Sequence, residues 1–371
     1  MLTKHGLVRI IRHGFYVKGE GTYYPIDDLL KIYGKQRSQG LDEEIGFLEA
    51  LVPSRECSKL TERYFGQAVS HTTCNKIATK AGDAGEKVEI RELKPFPKNT
   101  KKEEKRITFL VDGGRARTRI DKSPTKALKA INDIITRDSG KSFEQFNWRR
   151  KQEMTNELNP WRETKTWVIT NGHDTLQWTT LDEGKIFMDD FCKEIKSKGY
   201  DTSVNKLSLN CDGAPWIGNN FEEHLPEIIQ VLDEFHFSEH LFEVAKLLFK
   251  KKQDEYSWVS KCLNYCFEDK VASLILHVQN LKVENESKSD AHEGLRKLLG
   301  YIKNNRERIR YGYFRELGLP LGSGVVEGAI KKMNNTRVKG PSIRWRKNRL
   351  KKMLHLRSVV FNDQYDEIKI A

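Results

Sequence analysis

The spacing of apolar and polar positions changes several times along the chain, and each change marks an expected boundary. The stretch HGFYVKGEGTYYPI alternates aromatic and polar residues about Gly19 and Gly21, which predicts a short hairpin, with helix-forming sequence from Leu29 onward. Ser58 to Phe65 has helical spacing, Gly66 interrupts it, and Ser70 is an N-cap for a second helix ending near Gly82. Helix, short turn, helix is the spacing of a helix-turn-helix, and an ordinary helical hairpin shares it. The prolines and charges of ELKPFPKNTKKEEKR carry no apolar period and predict a linker.

Beyond the linker the pattern turns to strands. RITFLVDGGRARTR is an apolar β run expected to end in Asp112. A polar insertion with a helix capped by Ser123 and Pro124 separates it from TKTWVITNG, and TLQWTTL makes a third strand. A helix from Gly184 to Lys198 has Ile186, Phe187, Phe191 and Ile195 at helical spacing, then KLSLNCDGAPWI gives a fourth strand ending in Asp212 and EIIQVLDEFHF a fifth. From Ser238 to about Gly318 apolar residues recur every three or four positions with no alternation.

The expected fold class is therefore α/β, a mixed sheet in the order β-β-β-α-β-α-β-α that matches the ribonuclease H-like fold. An all-helical insertion interrupts it and a small helix-turn-helix module precedes it. The boundaries are 1–97 for a DNA-binding module with its helix-turn-helix near 58–82, and 98–106 for the linker. Residues 107–237 form the first part of the catalytic domain, 238–318 the helical insertion, and 319–371 the last part with basic C-terminal helices.

Composition narrows the partners. With 371 residues, 37% of them hydrophobic, the chain can bury a core, and its net charge of +13 favours a polyanion, either nucleic acid or an anionic membrane surface. No apolar run approaches the roughly 18 to 20 residues that span a bilayer, and MLTKHGLVRIIRHG lacks the apolar stretch and cleavage site of a secretory signal. A cytoplasmic location is expected. Cys57, Cys74, Cys192, Cys211, Cys262 and Cys266 are scattered, without zinc-type spacing, and read as reduced thiols.

The candidate chemistry is acidic. Asp112 and Asp212 each close an expected strand and each precede a glycine, while Glu327 stands in an apolar helix start after a Gly-Ser-Gly turn. Three converging carboxylates repel one another unless hard cations lie between them, and Mg²⁺ takes such oxygen ligands while keeping room for water and phosphate. Two ions per site, with Mn²⁺ as a substitute, would serve in-line phosphoryl transfer. Taken singly, each acid has a plainer account: Asp-Gly is a common turn, and Glu327 with Lys331 fits an i, i+4 helix pair.

Basic residues supply candidate DNA contacts. On the second helix of the helix-turn-helix these are His71, Thr72, Thr73, Asn75 and Lys76. Arg115, Arg117 and Arg119 alternate after the first strand and would share a face. Lys331, Lys332, Arg337, Lys339, Arg344 and Arg346 crowd around Trp345 in the densest basic segment of the chain. His236 and His240, beside Asp233, read as satisfied histidines near the fifth strand, with a role in proton transfer or DNA contact as the alternative.

The set VDGGRARTR, WRETKTWVI, CDGAPWI, VLDEFHFSEHL and GLPLGSGVVEGAIKKMNNTRVKGPSIRW closely resembles bacterial insertion-sequence transposases of the DDE type, in particular the ISKra-like branch. The resemblance runs from about Leu51 to Arg357 and includes FGQAVSHTTCNKIA. Its most specific element is G-S-G-x-V-E followed by R-x-K and R-W. It implies that Asp112, Asp212 and Glu327 are the catalytic, metal-binding triad of an enzyme that cleaves the element's ends and joins the 3′-hydroxyl to target DNA. The implied partners are double-stranded DNA, both terminal inverted repeats and target, and a second copy of the chain at least while on DNA. The implied location is the bacterial nucleoid. The alternative is an inactive or repurposed transposase-derived DNA-binding protein. This chain departs from the pattern in lacking N-terminal cysteines and in carrying Gly328-Ala329 after the helix glutamate.

Overall fold

The computed structural model of the chain describes residues 1–29, 36–101, 105–119, 124–137, 161–200, 206–225, 227–284, 289–340 and 343–370. Two antiparallel ribbons come first, β1 (Leu2–Thr3) with β2 (Gly6–Leu7) and β3 (Phe15–Val17) with β4 (Gly21–Tyr23). The second ribbon is the expected hairpin. Helices α1 (Pro25–Leu29), α2 (Gln39–Leu51), α3 (Ser54–Phe65) and α4 (His71–Gly85) follow. Gly66, at φ 78°, ends α3 in the left-handed conformation that only glycine adopts cheaply. Ser70 Oγ accepts the Thr73 N–H at 3.2 Å and starts α4 where the N-cap pattern places it.

The centre of the fold is a mixed sheet of five strands, β5 (Arg106–Arg117), β6 (Trp161–Thr170), β7 (Thr175–Thr180), β8 (Lys206–Cys211) and β9 (Ile229–Leu232), in the spatial order β7-β6-β5-β8-β9. The first three are antiparallel to one another, whereas β8 lies parallel to β5 and β9 parallel to β8. Connections run through α5 (Pro124–Arg137), α6 (Gly184–Ser197) and α7 (Pro215–His224). The proposed cap of α5, Ser123, lies outside the described residues.

Alternation along the strands decides which side chains meet. Ile107, Phe109 and Val111 of β5, Trp167 and Ile169 of β6, and Leu207, Leu209 and Cys211 of β8 pack with Phe187, Phe191 and Ile195 of α6 and Phe221 of α7. The intervening residues face the other way, where Leu110 and Val168 meet Val326, Ala329 and Ile330.

Two expected boundaries move. The first strand continues through Asp112 to Arg117, because β6 pairs with it without a break from Thr108↔Thr170 to Arg117↔Trp161. The Asp-Gly-Gly sequence is therefore extended strand and not a turn. Gly114 serves a close approach instead: a Cβ there would lie 2.4 Å from Asn334 Nδ2. At the fifth strand, Phe235 to Phe237 are helical, since Asp233 Oδ1 accepts the His236 N–H at 2.6 Å and caps α8 (Glu234–Leu248).

Helices α9 (Lys252–Phe267), α10 (Val271–Glu284), α11 (Ser289–Asn304) and α12 (Tyr311–Glu316) pack with α8 around Phe237, Leu241, Trp258, Leu274 and Leu295. Helix α13 (Gly324–Ile330) runs directly into a π-type turn, Lys331–Asn335, and α14 (Lys347–Phe361) closes the fold. The N-terminal helices share one core with α14, in which Leu41, Ile45, Ile77 and Ala81 meet Met353, Leu354, Leu356 and Val359. Helix α14 also holds the sheet edge, through Thr179 N–H to Ser358 Oγ at 3.1 Å. Among the described residues no helix is long and apolar enough to cross a membrane.

Candidate active site

Register brings the two aspartates together. In the parallel pair β5–β8, Val111 stands opposite Cys211, so the next residue on each strand, Asp112 and Asp212, lies on the same face at the same level. Thr108 and Ser208, two alternation steps down that face, confirm the alignment with a 3.1 Å hydroxyl contact. Asp112 Oδ1 accepts the Gly113 N–H at 2.5 Å, and Asp212 Oδ1 accepts the Ala214 N–H at 3.0 Å across a turn in which Gly213 has φ 76°.

Helix α13 lies on this face of the sheet through Val326, Ala329 and Ile330, and carries Glu327 in its first turn. Burial first, and then the charges of Asp212 and Glu327, raise the Asp112 carboxyl to about 6, with the Gly113 N–H and His236 acting in the opposite direction. The three predicted acids thus share one electrostatic neighbourhood. Glu327 keeps solvent access and two further contacts, Ser323 Oγ at 3.4 Å from its Oε1 and Lys331 Nζ at 3.6 Å from its Oε2. The i, i+4 pair read from the sequence is therefore present as well.

Asp233, which the sequence marks only as a neighbour of two histidines, organises the site's rim. Its carboxylate is buried and accepts two backbone donors, His236 N–H on Oδ1 and Ser323 N–H on Oδ2 at 2.5 Å. It ties the end of β9 to the turn that precedes Glu327. An aspartate three residues before a histidine at a helix start is an N-cap signature, and this was the available signal. Tyr301, from α11, also reaches the site: a Cβ on Gly213 would lie 2.7 Å from its hydroxyl, which is buried and has no hydrogen-bond partner among the described residues. Burial and then the Asp212 charge hold that phenol protonated. His236 and His240 stack edge to face at 4.9 Å, and each approaches a glutamate of its own helix at 3.5 Å.

The donor set suits a hard divalent ion, being carboxylate oxygen throughout with an unneutralised charge at Asp112. Its three acids do not all lie within 4.8 Å of one another, a spacing reached among the described residues by one His, Cys, Asp or Glu group, Glu49 with Cys57 and Cys74. The tighter buried group suits a cation poorly, because Glu49 already accepts Arg337 at 3.2 Å and Ser54 at 2.9 Å.

The candidate DNA contacts divide by exposure. His71, Thr72 and Lys76 are exposed on α4, while Thr73 and Asn75 are half-buried and Asn75 donates to Ser54 Oγ at 3.3 Å. Arg115 is exposed and Arg117 half-buried, on the face of β5 opposite Asp112. Lys331, Lys332, Lys339, Arg344 and Arg346 are exposed. Arg337 and Trp345 require correction. The Arg337 side chain is 3% exposed, bound to Glu49 and stacked on the Trp345 ring, and Trp345 donates its indole N–H to Val338 O at 3.0 Å. Both are packed inside, because a charge run in sequence does not tell which of its members face inward.

Against solved structures, the chain is similar to one described as "Drosophila P element transposase strand transfer complex", at 8% identity and a TM-score of 0.42, over 91% of this chain and 96% of that one. A likeness at that level leaves the fold to be read from its own strand order. Compared with curated proteins, the chain matches none. The match that reaches across the molecule is to a family model described as an uncharacterised protein family, UPF0236, which covers residues 1–367, and the chain belongs to that family.

Proposed function

We propose that the chain is a metal-dependent DNA transposase of the DDE type, which cleaves a strand at each end of an insertion sequence and joins the freed 3′-hydroxyl to target DNA. The observation that carries this reading is the in-register pair Asp112 and Asp212 on adjacent parallel strands, with Glu327 brought over the same face by α13. The order β7-β6-β5-β8-β9, three strands antiparallel and two parallel, supports a ribonuclease H-like assignment. Likeness of the acid-bearing motifs to ISKra-like transposases supports that branch.

Asp112, Asp212 and Glu327 would hold two Mg²⁺ ions, which when bound supply charge neutralisation for the attacking and leaving oxygens. Asp233 fixes the entry to α13 by holding the Ser323 N–H, four residues before Glu327. The exposed His71, Thr72 and Lys76 of α4 would meet the terminal repeats, as the second helix of a helix-turn-helix does. Acting on two ends calls for at least a dimer on DNA, and the substrate places the protein with the nucleoid in the cytoplasm.

The Lys331–Glu327 pair favours a second reading, a DNA-binding relic in which the glutamate serves its own helix. Cleavage of a labelled duplex carrying the native element's end separates the two. Nicking that needs Mg²⁺ and disappears in Asp212→Asn is the expected result. Salt-sensitive binding with no nicking under any divalent ion would leave only the relic.

A further inference from the structure

The last residues of β5 and the segment before α14 form a short parallel ladder: Trp345 N–H donates to Arg117 O at 3.0 Å, Arg119 N–H donates to Trp345 O at 2.7 Å, and Thr118 pairs with Trp345. Thr118 and Trp345 are both buried. Strand alternation then turns their neighbours Arg119, Arg344 and Arg346 outward on the opposite side, and all three are exposed. This ribbon forms one wall of a groove of about 860 Å³, whose other wall is the start of α3 and the side of α4, with Arg55 from α3 and Arg349 from α14 completing it.

These five arginines make no ion pair among the described residues. The contrast with the same segment is sharp: Lys351 is held by Asp182 at 3.1 Å and Lys352 by Asp83 at 2.6 Å. The acid lining the groove, Glu56, is already answered by Lys59 at 3.1 Å. Five unneutralised guanidiniums converging on a groove is an arrangement that repels itself until an anion with several phosphates enters.

We propose that this groove is a second DNA-contact site, separate from the acidic centre, which grips the phosphodiester backbone of duplex DNA with Arg55, Arg119, Arg344, Arg346 and Arg349. The inference rests on the transposase reading and adds to it the place where the duplex is held. Arg119 lies seven residues beyond Asp112 along an extended chain, about 23 Å at 3.3 Å per residue. Along a duplex that is roughly seven base pairs at 3.4 Å each.

The test is fluorescence anisotropy of a labelled duplex of about 30 base pairs and arbitrary sequence, titrated with the full chain from about 50 to about 200 mM salt. Each lost phosphate contact lowers the slope of log K against log salt by about 0.9. The variant Arg119→Gln/Arg346→Gln is expected to lower it by about 1.8, while Arg119→Lys/Arg346→Lys keeps most of it, which separates lost charge from lost fold. The control Arg296→Gln/Arg306→Gln, which removes equal charge from the helical region, should leave the slope unchanged. A wild-type slope in the glutamine variant overturns the groove and leaves the transposase reading standing. Wild-type protein that binds no duplex at all overturns both. Equal affinity for a single strand of the same length, with the same loss in the variant, overturns the assignment to duplex.

Discussion

Asp112→Asn should stabilise the protein at neutral pH, and the size of the gain follows from the site's electrostatics. Burial and the neighbouring acids bring the folded-state carboxyl to about 6 against an ordinary 3.8. At 1.36 kcal/mol per pH unit that gap is worth about 3 kcal/mol. Asp112 is only half-buried, and solvent screening reduces the figure to about 1 to 2 kcal/mol. Between about pH 4 and 6 the folded state binds the proton that the unfolded state has released, so wild-type stability falls as pH rises through this window and is level above it. Asparagine removes the titration and keeps the contact, since its Oδ1 can still accept the Gly113 N–H.

Urea unfolding in EDTA at several pH values is the assay. The variant should exceed wild type by about 1 to 2 kcal/mol above pH 6, and the two should converge below about pH 4. Magnesium then acts with the opposite preference. An ion held by the three carboxylates stabilises the wild type by about 2.7 kcal/mol at a hundredfold excess over Kd, and the variant by less, which closes or reverses the gap. Equal stability of the two proteins in EDTA at neutral pH would mean that Asp112 bears no penalty and that the acids do not share a site. An equal Mg²⁺ effect on both would place the ion elsewhere.

Two further predictions concern the frame around the site. Arg337→Met alone should cost about 3 to 5 kcal/mol by leaving Glu49 buried and unpaired, whereas Arg337→Met with Glu49→Leu should recover most of it; a double-mutant cycle by urea denaturation reads the coupling, and additive losses would refute the pairing. Gly82→Ala should destabilise by about 1 to 3 kcal/mol despite alanine's better helix propensity, because a Cβ there would lie 2.3 Å from Lys352 O, a backbone atom of α14 that cannot swing away. An unchanged or raised melting temperature would show that α4 and α14 are not in such close contact.

Period-two alternation made part of the site legible. RITFLVD and KLSLNCD each put alternate apolar residues on one face and carry their aspartate on the other, and the structure sets the two strands side by side in register. The caps at Gly66 and Ser70 were equally readable, because each depends on one residue's local chemistry. The strand through Asp112-Gly113-Gly114 was not. Glycine pairs signal turns in isolation, and only a distant partner, β6, together with the approach of Asn334, makes an extended conformation the better solution.

The buried arginines show the same limit from the other side. Arg357 has no exposed surface and spends its donors on backbone carbonyls, with Nε to Met333 O at 3.0 Å and Nη1 to Ala50 O. Burial lowers its guanidinium pKa to about 9, so its charge is retained at neutral pH. Arg337 does similar work on Glu49 O at 3.0 Å. Each therefore joins the C-terminal end of α2 to the segment that follows Glu327, and nothing in the run KKMNNTRVKGPSIRWRKNRLKKMLHLR distinguishes these two from the arginines that face solvent. The division matters for the site. Inward arginines satisfy carbonyls that helix ends would otherwise leave bare, and so brace the segment that follows α13, whose Val326, Ala329 and Ile330 pack on the sheet. Outward ones remain without acidic partners and available to phosphate. One basic segment thus builds the acidic centre's frame from some residues and an exposed, unneutralised basic surface from others, and only the three-dimensional packing sorts them.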